Sequence, residues 1–375
     1  MPTSERLKIA FFGSSLVSAY WNGAATYYRG IIKALAERGY DITFYEPDAF
    51  ERQQHRDMED PDWAKVVVYQ ATEKAADAAL ASAKDADIVV KASGVGVLDA
   101  WLEHQVLEVF GQSDAITIFW DVDAPATLES VHTNPHNPFR QLIPRYDFIL
   151  TYGGGDPVVT AYTQLGAKRC HPIYNALDPD THHPVPPTPR FTSTLGFLGN
   201  RLPDREERVK EFFFKPVAQM PDATFILGGS GWREYAPQFP NLEYLGHIYA
   251  RDHNAFNCSP LAVLNINRES MAHTGYSPPT RVFEAAGAGA CLIMDRWLGA
   301  ELFLKPGKEV LLAANGNEVM AHLRNLTPDK AQRIGQAARQ RVLAQHTYRH
   351  RAEQFEQLID AFVQNTKQRS KSATG

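Results

Sequence analysis

The sequence predicts an α/β protein of two Rossmann-like, parallel-sheet domains. Three observations carry this. Short apolar runs alternate with stretches of helical periodicity along most of the chain, the pattern of βαβ units and so of parallel sheets. The alternation breaks at 182–189, where four prolines fall in eight residues. Proline lacks the amide a sheet needs and disrupts a helix interior, so this run reads as a domain boundary. Finally, 375 residues with 44% hydrophobic content suffice for about two cores. The expected domains are 1–185 and 190–346.

The first half opens with an apolar strand at 7–12 that ends on Gly13-Ser14-Ser15. Tyr28, Ile31, Ile32 and Leu35 then share one helical face, Gly39 stops the helix, and 41–45 is the next strand. Gly13 and Ser14 thus lie at the carboxyl end of a strand, where such sheets bind ligands. The loop lacks G-x-G-x-x-G and is equally an ordinary βα turn. Helix 71–83, strand 87–91, helix 97–110 and strand 115–119 follow. Strand 148–152 runs into three glycines, with Asp156-Pro157 as cap and first turn of another helix, and the sheet ends around 170–174. Asp121 and Asp123 close strand 115–119 as an Asp-x-Asp triplet. Two near carboxylates suit a divalent metal or a general base, and equally an Asx turn ahead of Pro125.

His182 and His183 lie in the proline run and read as solvated linker residues, since no ligand pair of zinc-type spacing flanks them. A second α/β pattern starts with strand 194–199, then Asn200-Arg201 and a helix over 205–214. Strands 224–227, 242–246 and 261–265 come next. After 310–313 there are helices near 318–323 and 329–344 and a long amphipathic run at 348–362. The tail 366–375 has too little apolar content to fold and is expected to be disordered.

The stretch 275–295 is the most informative. Ser277 suits an N-cap and Pro278 the first helical position. Val282, Phe283 and Ala286 recur at helical spacing, which leaves Arg281 and Glu284 three apart on a shared face. Gly287 and Gly289 end the helix and 290–294 reads as a buried strand. A carboxylate so placed can accept from both hydroxyls of a ribose, and a guanidinium one turn earlier matches a phosphate. Pro278 and Pro279 remove two amide donors from the helix mouth. A surface Arg–Glu pair on a core-packing helix, worth about 0.2–0.5 kcal/mol, fits the same residues.

This stretch resembles the sugar-nucleotide signature of GT-B glycosyltransferases, and with its flanks most resembles their CgeB-like (spore-maturation-type) branch. The resemblance runs from about Leu7 to the last helix. It implies two Rossmann-like domains facing a central cleft, the donor on the second and the acceptor on the first. It also implies that a C-terminal helix, about 347–365, crosses back to the N-terminal domain. Glu284 matches the second glutamate of the signature, the ribose ligand. The first glutamate falls on Tyr276, so the residue that meets the donor sugar stays open. The loop with Arg201 and Arg205 is expected to meet the diphosphate, with Arg268 as a further cation and His247 in the base-reading segment. Tyr276, Ser277, Thr280 and Arg281 join Glu284 as nucleotide-sugar candidates, together with Gly13 and Ser14. Solvated arginines and a plain surface histidine are the alternatives. Asp121 and Asp123 are the catalytic candidates, on the acceptor side. No metal or other cofactor is expected, because GT-B enzymes of this kind hold the diphosphate without one.

A net charge of −5 argues against a nucleic-acid partner. No run of about 18 uninterrupted apolar residues exists to span a membrane. The first residues lead straight into a strand, without the pattern of a signal peptide. Cys170, Cys258 and Cys291 are unclustered, which points to a reducing cytoplasm. The expected function is a hexosyltransferase-type transfer of a sugar from a nucleotide diphosphate, with UDP favoured, to an acceptor hydroxyl, with retention if the resembled clans are followed. A nucleotide-sugar epimerase or hydrolase, and a nucleotide-sugar-binding protein without turnover, are the alternatives. A nicotinamide oxidoreductase is disfavoured by the missing glycine fingerprint. The acceptor, whether glycan, protein or small molecule, is not named by any motif.

Overall fold

The apolar runs of the first half are buried on both faces, as strands of a parallel sheet must be. The computed structural model describes residues 6–20 and 22–373. The chain divides into two units, Met1–Tyr174 with Tyr348–Gly375, and Asn175–Thr347. Among the described residues the first unit holds seven strands: β1 (Lys8–Phe12), β2 (Asp41–Asp48), β3 (Lys65–Gln70), β4 (Ile88–Ala92), β5 (Ile116–Asp121), β6 (Phe148–Thr151) and β7 (Cys170–Pro172). All neighbours pair in parallel, in the order β3-β2-β1-β4-β5-β6-β7. The edge strand β3 is an element beyond those inferred above; its Val66-Val67-Val68 run is the β-branched signal that marks it. On one sheet face Phe11 stacks on Phe44 with ring centroids 5.3 Å apart, and Tyr28 and Trp120 close around Phe11.

That aromatic face is covered by the end of the chain. In the helix Tyr348–Ala373, Phe355 stacks on Trp120 at 5.7 Å and Gln354 Nε2 donates to Pro172 O at 3.0 Å. The last helix therefore returns to the first unit, as the resemblance implies. It runs on to Ala373, whereas low apolar content pointed to an unfolded tail from Thr366. Lys, Gln, Arg and Ala are strong helix formers, so an established helix can extend through them without an apolar face.

In the second unit the described strands are β8 (Leu195–Leu198), β9 (Phe225–Gly228), β10 (Leu242–Gly246), β11 (Ala262–Asn265), β12 (Leu292–Asp295) and β13 (Leu311–Ala313). They pair in parallel in the order β10-β9-β8-β11-β12-β13. The passage between the units falls at Tyr174–Asn175, ahead of the proline run. Asn175 Nδ2 donates to Pro278 O (3.0 Å) and Thr188 N to Ser259 Oγ (2.9 Å), so the intervening chain packs on the second unit. Prolines keep this segment extended, but its side-chain and backbone contacts decide where it belongs. The helix after β8 widens to a π turn at Lys210–Phe214, just before Pro216, whose ring and missing amide push the preceding carbonyls aside.

Among the described residues no helix is long and apolar enough to cross a membrane. All three cysteines are free. The seat of the last helix is tight: a Cβ on Gly30 would overlap the Tyr348 ring. Gly30→Ala is expected to lower stability by about 1–3 kcal/mol despite the better helix propensity of alanine. Thermal unfolding checks it, and an unchanged midpoint would show that the helix can shift at no cost.

Candidate functional site

Ligands of open parallel sheets bind beyond the carboxyl ends of the strands, where the strand order reverses and the flanking loops part. In the second unit this point lies between β8 and β11. β8 delivers the loop 199–205, and β11 delivers Asn267 and Arg268. Helix Thr280–Gly287 follows from the same side, and β12 ends there on Asp295.

The four arginines singled out from the sequence meet this edge, in two different states. Arg201 makes a two-point contact with Glu206, at 2.6 and 3.0 Å, and its guanidinium lies 5.3 Å from the Tyr235 ring centre. Arg268 Nε donates to Asp204 Oδ2 at 2.6 Å. Arg205 instead folds back over its own loop and donates to the Asn200 carbonyl, with a buried Nε that has no partner. Burial, and then the neighbouring Arg281, push its pKa down to about 10, with Arg268 adding to the effect and Asp204 and Asp295 opposing it. Arg281 Nη1 is also buried without a hydrogen-bond partner and stands 4.0 Å from Glu284 Oε2. Arg205 and Arg281 are therefore the cations least neutralised by the protein itself.

Glu284 is only 6% exposed. Burial alone would raise its pKa, but Arg281, His182, His253 and the Thr280 hydroxyl outweigh that and hold it below the usual carboxylate value. The group is thus ionised, yet its Oε2 accepts no hydrogen bond. A buried anionic oxygen without a hydrogen bond is costly, and this one has room for a donor. His182 Nε2 lies 3.9 Å from Glu284 Oε1. Burial first, then Arg281, push His253 down to about 4, so it is neutral at pH 7.

His182 corrects the reading of both histidines as solvated. His183 is exposed, but His182 is 7% exposed, because a turn closed by His182 N donating to Asp178 O at 3.0 Å swings it inward. The helix carrying Glu284 also starts later than its sequence suggests, at Thr280 with Pro279 as cap. Pro278 precedes another proline, which bars it from the helical region. Ser277 is buried and donates its hydroxyl to Gly275 O at 2.9 Å instead of capping. Tyr276 holds a left-handed backbone at φ 48°, a strain of about 1–3 kcal/mol, with its amide donating to Leu298 O at 2.7 Å. His247 is exposed and meets the Tyr249 ring edge-on at 4.8 Å.

Asp295 and Arg208 escaped the sequence reading. Asp295 is fully buried, accepts from Asn267 N at 3.1 and 3.2 Å and from Arg208 Nη2 at 2.6 Å, and so anchors the loop that bears Arg268. A carboxylate closing an apolar strand was its signal; its partner 87 positions away had none.

The first unit separates the Asp-x-Asp pair. Asp121 is 0% exposed, and its Oδ1 accepts from Ser93 Oγ (2.8 Å), Asp123 N (3.0 Å) and Thr127 Oγ1 (3.0 Å). Its Oδ2 accepts from Tyr162 Oη at 2.5 Å. This is an Asx turn whose fully buried carboxylate accepts four hydrogen bonds from the protein, which gives Asp121 a structural role in place of a metal ligand or a base. Asp123 is half-buried and caps the helix Ala124–Thr133 through its backbone. Ser14 is buried and donates to Asn22 Oδ1 at 2.9 Å, so its hydroxyl is spent within the loop. Gly13 lets that loop approach Phe44, whose ring a Cβ would meet at 2.5 Å.

Residues 205–357 match the family model described as "Glycosyl transferase-like". Among solved structures the chain is similar to sucrose-phosphate synthase from Thermosynechococcus elongatus, with TM-score 0.71 and 14% identity, over 96% of this chain and 100% of that one. It is similar to Anabaena Alr3699/HepE in complex with UDP-glucose, with TM-score 0.66 and 14% identity, over 95% and 100%. T4 phage BGT in complex with its UDP-glucose substrate matches with TM-score 0.59 and 14% identity, over 94% and 100%. No curated protein matches the chain significantly by sequence. The fold is that of the GT-B enzymes.

Asp121→Ala would leave four buried donors facing an empty place. Its expected cost is about 3 kcal/mol or more of stability, read by chemical denaturation. A variant that unfolds like the parent but has lost turnover would return Asp121 to the catalytic residues.

Proposed function

We propose that this chain, a glycosyltransferase of the GT-B type, moves a sugar from a UDP-sugar to an acceptor hydroxyl, with the nucleotide held by the second unit. The observation that carries the reading is Glu284: buried, ionised, one oxygen without a hydrogen bond, and beside Arg281, which in turn neighbours Arg205. In this arrangement the ribose hydroxyls donate to Glu284. The diphosphate lies against Arg205, Arg281 and the first amides of helix Thr280–Gly287. Structural neighbours solved with UDP-glucose support UDP as the nucleotide. Within the superfamily we assign the chain to the CgeB-like branch, on the resemblance of 275–295 and its flanks.

The leaving diphosphate gains negative charge as the glycosidic bond breaks, and cations already in place stabilise it without reorganising. Arg205 and Arg281 supply that charge, so the transfer needs no divalent metal. We assign retention of configuration: the acceptor proton passes to the departing phosphate oxygen on the same face as the new bond forms. Asp123 is the proposed catalytic carboxylate, with stabilisation of positive charge on the sugar as its role. The cytoplasm is the proposed compartment, where Cys170, Cys258 and Cys291 stay reduced.

Binding of UDP and of uridine separates the two halves of the site. Glu284→Ala should weaken both by about 1.5–3 kcal/mol in calorimetry, the range for a hydrogen bond to a charged group. Arg205→Gln and Arg281→Gln should weaken UDP far more than uridine. Equal losses for the two ligands would mean that these arginines serve the fold or the base instead.

Turnover tests the metal and the acid. Activity should persist in excess chelator, and Asp123→Asn should lower kcat while leaving UDP affinity nearly intact. UDP release should require acceptor, which distinguishes transfer from hydrolysis or epimerisation. A chelator-sensitive enzyme whose Asp123→Asn form no longer binds UDP would overturn both assignments.

A further inference from the structure

The second unit has another concavity, at the opposite end of its sheet from Glu284. Ser193 before β8, Leu261 before β11 and Cys291 before β12 line a cavity of about 760 Å³, walled by Pro184 and Arg339. Its volume falls within the range of small-molecule pockets, about 300–1,000 Å³.

What sets the cavity apart is its unmet donors. Asn257 is 3% exposed and Ser193 7%, both line the cavity, and neither Asn257 Nδ2 nor Ser193 Oγ has a hydrogen-bond partner. Arg339 Nε, in the same wall, is buried and unpartnered too. Buried polar groups are nearly always satisfied, so three donors unmet around one space point to an occupant that brings acceptors. The charge of Arg339 selects an anion among such occupants. The first turn of helix Pro328–Gln345 forms part of the wall and adds the positive end of its dipole, opposed by the exposed Asp329. Pro184, Pro187 and Val185 offer an apolar surface beside these donors.

We propose that this cavity is a second ligand site, for a small organic anion whose carboxylate or phosphate oxygens accept from Ser193, Asn257 and Arg339 while its carbon skeleton lies on the proline-rich wall. The site is independent of the nucleotide reading, because none of these residues touches Arg205, Arg281 or Glu284 in the interactions described above.

Calorimetric titration of the full chain with succinate, glycerol 3-phosphate and inorganic phosphate tests it. At least one organic probe should bind with Kd below about 1 mM and more tightly than inorganic phosphate, and the better of the two tells carboxylate from phosphate ester. Arg339→Gln and Asn257→Leu should each weaken that probe about tenfold, whereas Arg205→Gln should leave it within about twofold. Asn257→Leu removes an unmet donor, so its thermal midpoint should not fall. The proposal is overturned if no probe binds, if Arg339→Gln and Asn257→Leu bind like the parent, or if Arg205→Gln is the variant that loses the probe.

Discussion

Keeping Glu284 ionised inside the second unit is the constraint on which the rest of its site depends. A buried carboxylate loses its hydration and stays charged only if positive charge or donors replace it. Here Arg281, His182 and the Thr280 hydroxyl do so, and they come from two separate segments, the helix Thr280–Gly287 and the chain that opens the proline run. The chain at 175–189 must pack on the second unit to deliver His182, and the helix Thr280–Gly287 must begin just where Thr280 can reach back. The replacement is incomplete, since Oε2 still has no donor. The cations carry the matching defect: Arg205 and Arg281 lie close enough to depress the pKa of Arg205. The proposed nucleotide, an anion with hydroxyl groups, would relieve both at once.

Other buried carboxylates show what completion looks like. Glu46 in the first unit accepts from Ser15 Oγ, Leu16 N and Gln53 Nε2 at 2.9, 2.6 and 2.5 Å, and fastens the loop after β1. Asp121 and Asp295 are likewise filled by their own surroundings. Such groups fix loop geometry, with each carboxylate oxygen hydrogen-bonded within the protein. Burial by itself therefore does not mark a site; burial with an unmet atom does. The same criterion draws attention to Ser193, Asn257 and Arg339 at the far end of the sheet.

Backbone strain falls next to the same region. Tyr276 in the left-handed region and Gly275 at φ 71° shape the loop that leads into the Glu284 helix. Leu298 O takes the Tyr276 amide, and a Cβ on Gly299 would overlap the Tyr276 ring, so the loop is clamped from the chain beyond β12. A bulky residue in that conformation is uncommon and persists only where its neighbours over-determine it.

The alternation of apolar strands and helices was legible in the sequence because it obeys local periods, and the two parallel sheets follow from it. Arg281 and Glu284 could be picked out for the same reason, since helical spacing alone puts them on one face. What the sequence by itself could not decide is which polar groups neutralise which. Arg201 and Arg205 look alike along the chain, but only Arg201 finds a carboxylate fork, in Glu206. Asp121 and Asp123 sit two apart, but only Asp121 meets Ser93 and Tyr162, brought from 28 and 41 positions away. His182 lay in a run whose prolines spoke for solvent, and packing on the second unit buried it. Local propensity reaches a few residues, whereas the fate of a charge depends on long-range contacts that exist only once the sheets have assembled.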